Sequence, residues 1–187
     1  MRDLRLYWAY GSNMSPATIA EKGLVVKHMG VAYLDHYAFM LNKISQKDPT
    51  VGFANIAPCW AKRVYGSLFD LGNTGKSGEP LASDSTVSSL IRKNVAILDK
   101  KEGFPIHYER TTIGVHINFE GKMRFMQAFT YIATFEKTSP TNLFVKDEYA
   151  LKINEGLDGM HAGNDEYERY KHDTKQLMEI WKASEKK

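Results

Sequence analysis

Two short stretches hold residues whose types and spacing could do chemistry. The first is "YGSNM", Tyr10 to Met14, which joins an apolar alternating segment to a helical one that starts at a proline. A strand-to-helix turn exposes N–H groups without partners beside the positive end of a helix dipole, and such groups bind carboxylate or phosphate. Gly11 lets a ligand approach the backbone, and Ser12 and Asn13 add short polar side chains. The same residues also make an ordinary tight turn, so spacing alone leaves both readings open. The second stretch is "LDKKEG", Leu98 to Gly103. Glu102 falls in the last turn of a helical pattern, just before Gly103. The negative end of the dipole disfavours an ionised carboxylate there. A raised pKa would suit a general acid/base working near neutrality. A solvated glutamate beside a capping glycine is the plain alternative.

Other candidates are weaker. "GNTGKSG" (72–78) is close to a phosphate-binding loop, but that pattern needs glycine at position 70, where Asp70 stands. Cys59, between Pro58 and Trp60, is the sole cysteine and reads as a packing residue. His161, Asp165 and His172 do not form a compact ligand set of the zinc type. No metal and no cofactor is expected.

The elements that must position these residues follow from periodicity. Leu4, Leu6 and Trp8 alternate with Arg5, Tyr7 and Ala9, predicting a strand over 4–10. Ser15-Pro16 predicts a helix start with a hydroxyl cap, and Gly23 its stop. Residues 24–41 predict one or two strands. Residues 51–58 predict a short strand ended by Pro58, and 62–71 another. From Ser83 a helical pattern runs to Gly103. Residues 107–133 predict a hairpin turning at Glu120-Gly121. From Asp147 two helical segments are expected, broken by "EGLDGMHAGND", with Tyr167, Tyr170, Leu177, Ile180 and Trp181 available for packing on the rest. This order predicts one α+β domain over 1–187, a curled mixed sheet with helices against it and a C-terminal helical extension over about 146–187.

Bulk properties exclude several classes. The 187 residues suffice for one full core. Charged residues make up 25% and apolar residues 43%, ordinary values for a globular chain. The net charge of +3 is spread along the chain, unlike the concentrated basic face of a nucleic-acid binder. The one dense run, "KASEKK", reads as a frayed tail. One cysteine permits no internal disulfide and suits a reducing compartment. No apolar run reaches about 18 residues and no signal peptide is visible, so a cytoplasmic chain is expected, without membrane or nucleic-acid partners.

Taken together, "YWAYGSNM", "GFANIAP", "VYGSLFDL" and "LDKKEG", in that order, resemble the γ-glutamylcyclotransferase family and its AIG2-like relatives over roughly residues 6–145. The resemblance implies a small mixed β-barrel with flanking helices. It also implies an enzyme that releases 5-oxoproline from a γ-glutamyl amine or amide, as a monomer or homodimer. By motif, Tyr7, Trp8, Ala9, Tyr10, Gly11 and Ser12, with Asn13 beside them, would form the substrate loop. Glu102 would carry the proton, and Tyr108 and Tyr131 match further tyrosines of the family. Another family tyrosine falls near "TSPTNLF", where this chain has Asn142 and Leu143 instead. Such a substrate carries its own nucleophile, the α-amine, so the enzyme would need only orientation, oxyanion donors and one proton carrier. A specialised cyclotransferase for a γ-glutamyl-tagged metabolite or isopeptide, and a non-catalytic binding protein of the same fold, are the alternatives.

Overall fold

The computed structural model describes residues 4–74 and 83–182. The glycine-rich loop past Thr74 and the tail past Lys182 lie outside the described residues. In chain order the elements are β1 (Leu6–Ala9), α1 (Pro16–Glu21), β2 (Lys27–Ile44), β3 (Gly52–Asp70), α2 (Asp84–Glu102), β4 (Tyr108–Phe119), β5 (Lys122–Ala133), a 3-10 turn (Phe135–Lys137), α3 (Asp147–Gly159) and α4 (Asp165–Ile180). The strands close a barrel in the order β1-β3-β2-β4-β5. Four of its seams are antiparallel, and β1 meets β5 in parallel at Tyr7 and Phe129. The expected small mixed barrel with flanking helices is present.

Two strands are far longer than the periodicity suggests. β2 and β3 run 18 and 19 residues, and strands of that length enter a small barrel only by bending. The bends are bulges, with register shifts between His28 and Gly30, Asp35 and Tyr37, and Met40 and Lys43. Pro58, expected to end a strand, instead sits inside β3 opposite Tyr37, next to the bulge at His36. A proline costs a strand little at a disturbed register, where its missing N–H has no ladder partner to lose.

Local rules succeed at the turns. Ser83 caps α2 by accepting the Thr86 amide, and Gly103 closes it in the left-handed conformation (φ 67°). Glu120 and Gly121 both take positive φ, which a two-residue hairpin turn requires. α1 is weaker than expected. It has six residues, and Ser15, though at the cap position, makes no side-chain cap bond. The break between the last two helices is also shorter, because "EGLDG" continues α3.

Two apolar clusters build the core. One joins the strands to α3 and α4 through Trp8, Tyr10, Leu41, Leu68, Ile153, Leu157, Tyr167 and Met178. The other joins them to α1 and α2 through Tyr7, Ile19, Phe69, Val95, Leu98 and Phe129. Successive β1 side chains therefore serve opposite clusters. Among the described residues no helix is long and apolar enough to cross a membrane.

Candidate active site

The turn after β1 and the end of α2 meet at one cavity. Met14 N–H donates to the Gly11 carbonyl at 3.1 Å, closing the turn. That turn buries Asn13, whose amide nitrogen donates to Glu102 Oε1 and to the Tyr7 hydroxyl, both at 2.9 Å. Lys22 Nζ donates to the Asn13 side-chain oxygen. Asn13 thus holds a phenol, a carboxylate and an ammonium in one arrangement across 89 residues of chain separation.

Glu102 is aimed by its own helix turn. Three residues earlier, Asp99 accepts the Tyr131 hydroxyl at 2.7 Å and pairs with Arg110 at 3.3 Å. These contacts pin the end of α2 to β4 and β5. Gly103 then reverses the chain, and His107 N–H returns to the Gly103 carbonyl at 2.9 Å. Burial pushes the Glu102 carboxyl above its ordinary range, while Lys22, the Asn13 hydrogen bond and Lys43 pull it back.

The pocket, its solvent-open mouth included, holds about 320 Å³ of empty space. Its lining brings together Tyr7, Tyr10, Gly11, Ser12, Asn13, Glu102, Tyr108 and Tyr131. Two other sequence candidates do not reach it. Trp8 points to the opposite side of β1, fully buried, and donates its indole N–H to the Ala32 carbonyl at 3.2 Å. Ala9 is buried in the α1–α2 cluster and does not line the cavity. The two-residue alternation of a strand prevents all of 7–10 from facing one ligand.

Sequence reasoning missed Tyr149. It lines the cavity from the first turn of α3, six residues past Leu143. A tyrosine placed early in a helix, outside the motif-bearing region, gave no signal. Asn142 and Leu143, the departures from the family pattern, instead secure the bulge in β2. The Asn142 side chain accepts the Leu41 N–H at 2.8 Å, and Leu143 N–H donates to the Leu41 carbonyl at 2.9 Å.

The five phenols divide by what their protons do. Tyr10 donates to the Tyr131 carbonyl at 2.6 Å, Tyr108 to the Ala54 carbonyl at 2.9 Å, and Tyr131 to Asp99. These three are committed. The Tyr7 oxygen accepts from Asn13, and the Tyr149 oxygen accepts the Ala54 N–H at 3.1 Å. Their protons remain free to meet a ligand oxygen, although Ser12 also bonds Tyr149. Burial raises every one of these hydroxyl pKa values, that of Tyr149 to about 12, so all are protonated donors near neutrality.

Neither a family model nor a curated protein sequence matches the chain. Solved structures do. A structure described as gamma-glutamyl cyclotransferase aligns with TM-score 0.62 at 16% identity, over 94% of this chain and 98% of the other. The chain has the gamma-glutamyl cyclotransferase fold. An uncharacterized protein from Homo sapiens aligns with TM-score 0.63 at 19% identity, with the same coverage of both chains. YkqA from Bacillus subtilis aligns with TM-score 0.68 at 16% identity, over 98% of this chain but 57% of that one, so this chain spans little more than half of that neighbour. Within the gamma-glutamyl cyclotransferase fold, the cavity described above lies at one end of the closed barrel's β1, between α2 and α3.

Proposed function

We propose that this chain is a cyclotransferase that releases 5-oxoproline from a γ-glutamyl amide or amine. The observation that carries the proposal is a single carboxylate, Glu102, held by Asn13 on the wall of a cavity otherwise lined by phenols and a glycine turn. The cyclotransferase fold supports it.

The reaction forms one bond, from the substrate α-nitrogen to its γ-carbonyl carbon, and breaks one, from that carbon to the leaving nitrogen. Curling the glutamyl chain inside a small cavity makes the attack intramolecular. Glu102 takes a proton from the attacking α-amine and delivers it to the leaving amine, serving first as base and then as acid. The second proton shed by the α-ammonium also ends on the leaving amine, through solvent, so the products are 5-oxoproline and an alkylammonium. The free hydroxyls of Tyr7 and Tyr149 are the donors for the oxygen that becomes negative in the tetrahedral intermediate. The Ser12 and Asn13 amides have no acceptor among the described residues and suit the substrate α-carboxylate. They, rather than a helix end, are the anion donors, because α1 is too short for a useful dipole and begins at a proline.

The test is 5-oxoproline release from a panel of γ-glutamyl amino acids, γ-glutamyl amines and glutathione, read by mass spectrometry. Wild type should release it, and Glu102→Gln should not while melting normally. Near-normal turnover by the Gln variant would remove Glu102 from its role. No release from any amide would refute the reaction class.

A further inference from the structure

Glu102, Ser12, Tyr108 and Tyr149 line two cavities at once. Besides the inner one, they line an outer basin that is open to solvent and, its mouth included, holds about 1070 Å³ of empty space. The carboxylate stands at the boundary. On the cyclotransferase reading, on which this inference rests, the glutamyl group fills the inner cavity and the scissile nitrogen lies beside Glu102. The leaving amine must then extend into the basin.

The basin is cationic. Lys22, Lys43, Lys47, Lys100 and Lys101 line it, from the C-cap of α1, β2, the loop after β2, and the last turn of α2. Among the described residues Glu102 is the only acidic one in its lining. A chain with a net charge of only +3 has gathered five lysines from distant positions around one opening. Lys43 is the telling member. It is 5% exposed, and among the described residues no carboxylate comes within ion-pair distance of it. Its ammonium lies 5.2 Å from the Phe53 ring centre and 5.6 Å from that of Tyr108. Burial lowers its pKa, and the charge of Glu102, acting from beyond ion-pair distance, offsets this only in part. Lys43 stands at the β2 bulge that follows Met40, and its side chain lines the basin. Nearby, His107 is held toward its neutral form by burial and by Lys43 and Lys137, as a positive local field requires.

We infer that the amine released by this enzyme is acidic, carrying about two negative charges, on two carboxylates or one phosphate, that bind Lys43 and the lysine rim. A γ-glutamyl group on an acidic amino acid or on a phosphorylated amine has this chemistry, whereas neutral alkylamines and lysine side chains do not. Lys43 is the desolvated contact and sets specificity. Lys47, Lys100 and Lys101 are exposed and act over longer range, subject to screening.

The test measures kcat/KM for 5-oxoproline release from γ-glutamyl-glutamate, γ-glutamyl-alanine, γ-glutamyl-phosphoethanolamine and γ-glutamyl-butylamide. At low salt the diacid should exceed the neutral butylamide by about tenfold or more, chiefly through KM, with alanine between them. The advantage should shrink as salt is added. A larger advantage for phosphoethanolamine than for the diacid would identify phosphate as the preferred anion. Lys43→Gln should reduce the ratio to within about threefold. Lys43→Arg, which keeps the charge, should preserve it and guards against a folding artefact. A flat series in the wild type, or a ratio untouched by Lys43→Gln, overturns the inference. If no amide is turned over, the same four are titrated calorimetrically onto the Glu102→Gln variant. Acidic preference there upholds the basin and refutes only the reaction; equal or absent binding overturns the basin as well.

Discussion

Asn13→Ala isolates what positions the carboxylate. The substitution removes the 2.9 Å bond to Glu102, the 2.9 Å bond to Tyr7 and the oxygen that receives Lys22. A hydrogen bond to an ionised group contributes about 1.5–3 kcal/mol. Roughly 1.4 kcal/mol is a factor of ten in rate, so kcat/KM for the best γ-glutamyl amide should fall about 10- to 100-fold. The pH profile carries a separate signature. The base must be ionised, so activity rises with pH as Glu102 loses its proton. Asn13 favours the ionised form, as Lys22 does, and its loss raises the carboxyl pKa. The acidic limb of kcat/KM should therefore move to higher pH. Asn13→Asp should move it further, because a second carboxylate would then face Glu102. The assay is 5-oxoproline release from about pH 4, near the ordinary glutamate value, to about pH 9, with melting curves to show that the variants are folded. Lost buried hydrogen bonds should lower stability by about 1–3 kcal/mol, with Tm falling about 2–4 °C per kcal/mol at this chain length. A folded Asn13→Ala enzyme with an unmoved limb and kcat/KM within about twofold of wild type would refute the role assigned to Asn13.

Three further outcomes are expected. Tyr149→Phe removes a donor for the developing oxyanion and the acceptor of the Ala54 amide, so kcat should drop about 100-fold or more with little change in KM; an unchanged kcat would leave Tyr7 as the sole phenolic donor. Lys43→Gln withdraws a positive charge that favours ionised Glu102, so its acidic limb should also shift upward, and a downward shift would contradict the geometry. Gly66→Ala would place a methyl carbon 2.2 Å from the Ala9 carbonyl oxygen and 2.9 Å from the Trp8 ring, so the barrel should lose about 1–3 kcal/mol or more, read as a lower Tm. An unchanged melt would mean that β1 does not pass over β3 as described.

Which features were legible in the sequence follows from how far their causes reach along the chain. The α2 cap at Ser83, its stop at Gly103 and the hairpin turn at Glu120-Gly121 depend on backbone preferences within a few residues, and each appeared where expected. Pro58 misled, because whether a proline ends a strand depends on a bulge in the partner strand. The substrate-loop candidates were read as one run, yet β1 turns Trp8 away from the cavity that Tyr7 lines. Tyr149 went unnoticed because a tyrosine in a helix acquires a role only from what α3 packs against.

By itself, then, the sequence determined the α+β order, the turn at Gly11 to Met14 and a carboxylate at the end of a capped helix, since local steric and hydrogen-bonding rules dictate these. Only the tertiary structure decided that Asn13 would reach Glu102, which phenols keep a free proton, and that five lysines dispersed over eighty positions would ring one basin. Such convergence is set by barrel closure, in which the bulges of β2 and β3 and the parallel seam between β1 and β5 bring distant residues to one end. Charge counted along a chain does not reveal a field, because electrostatic energy depends on separation in space.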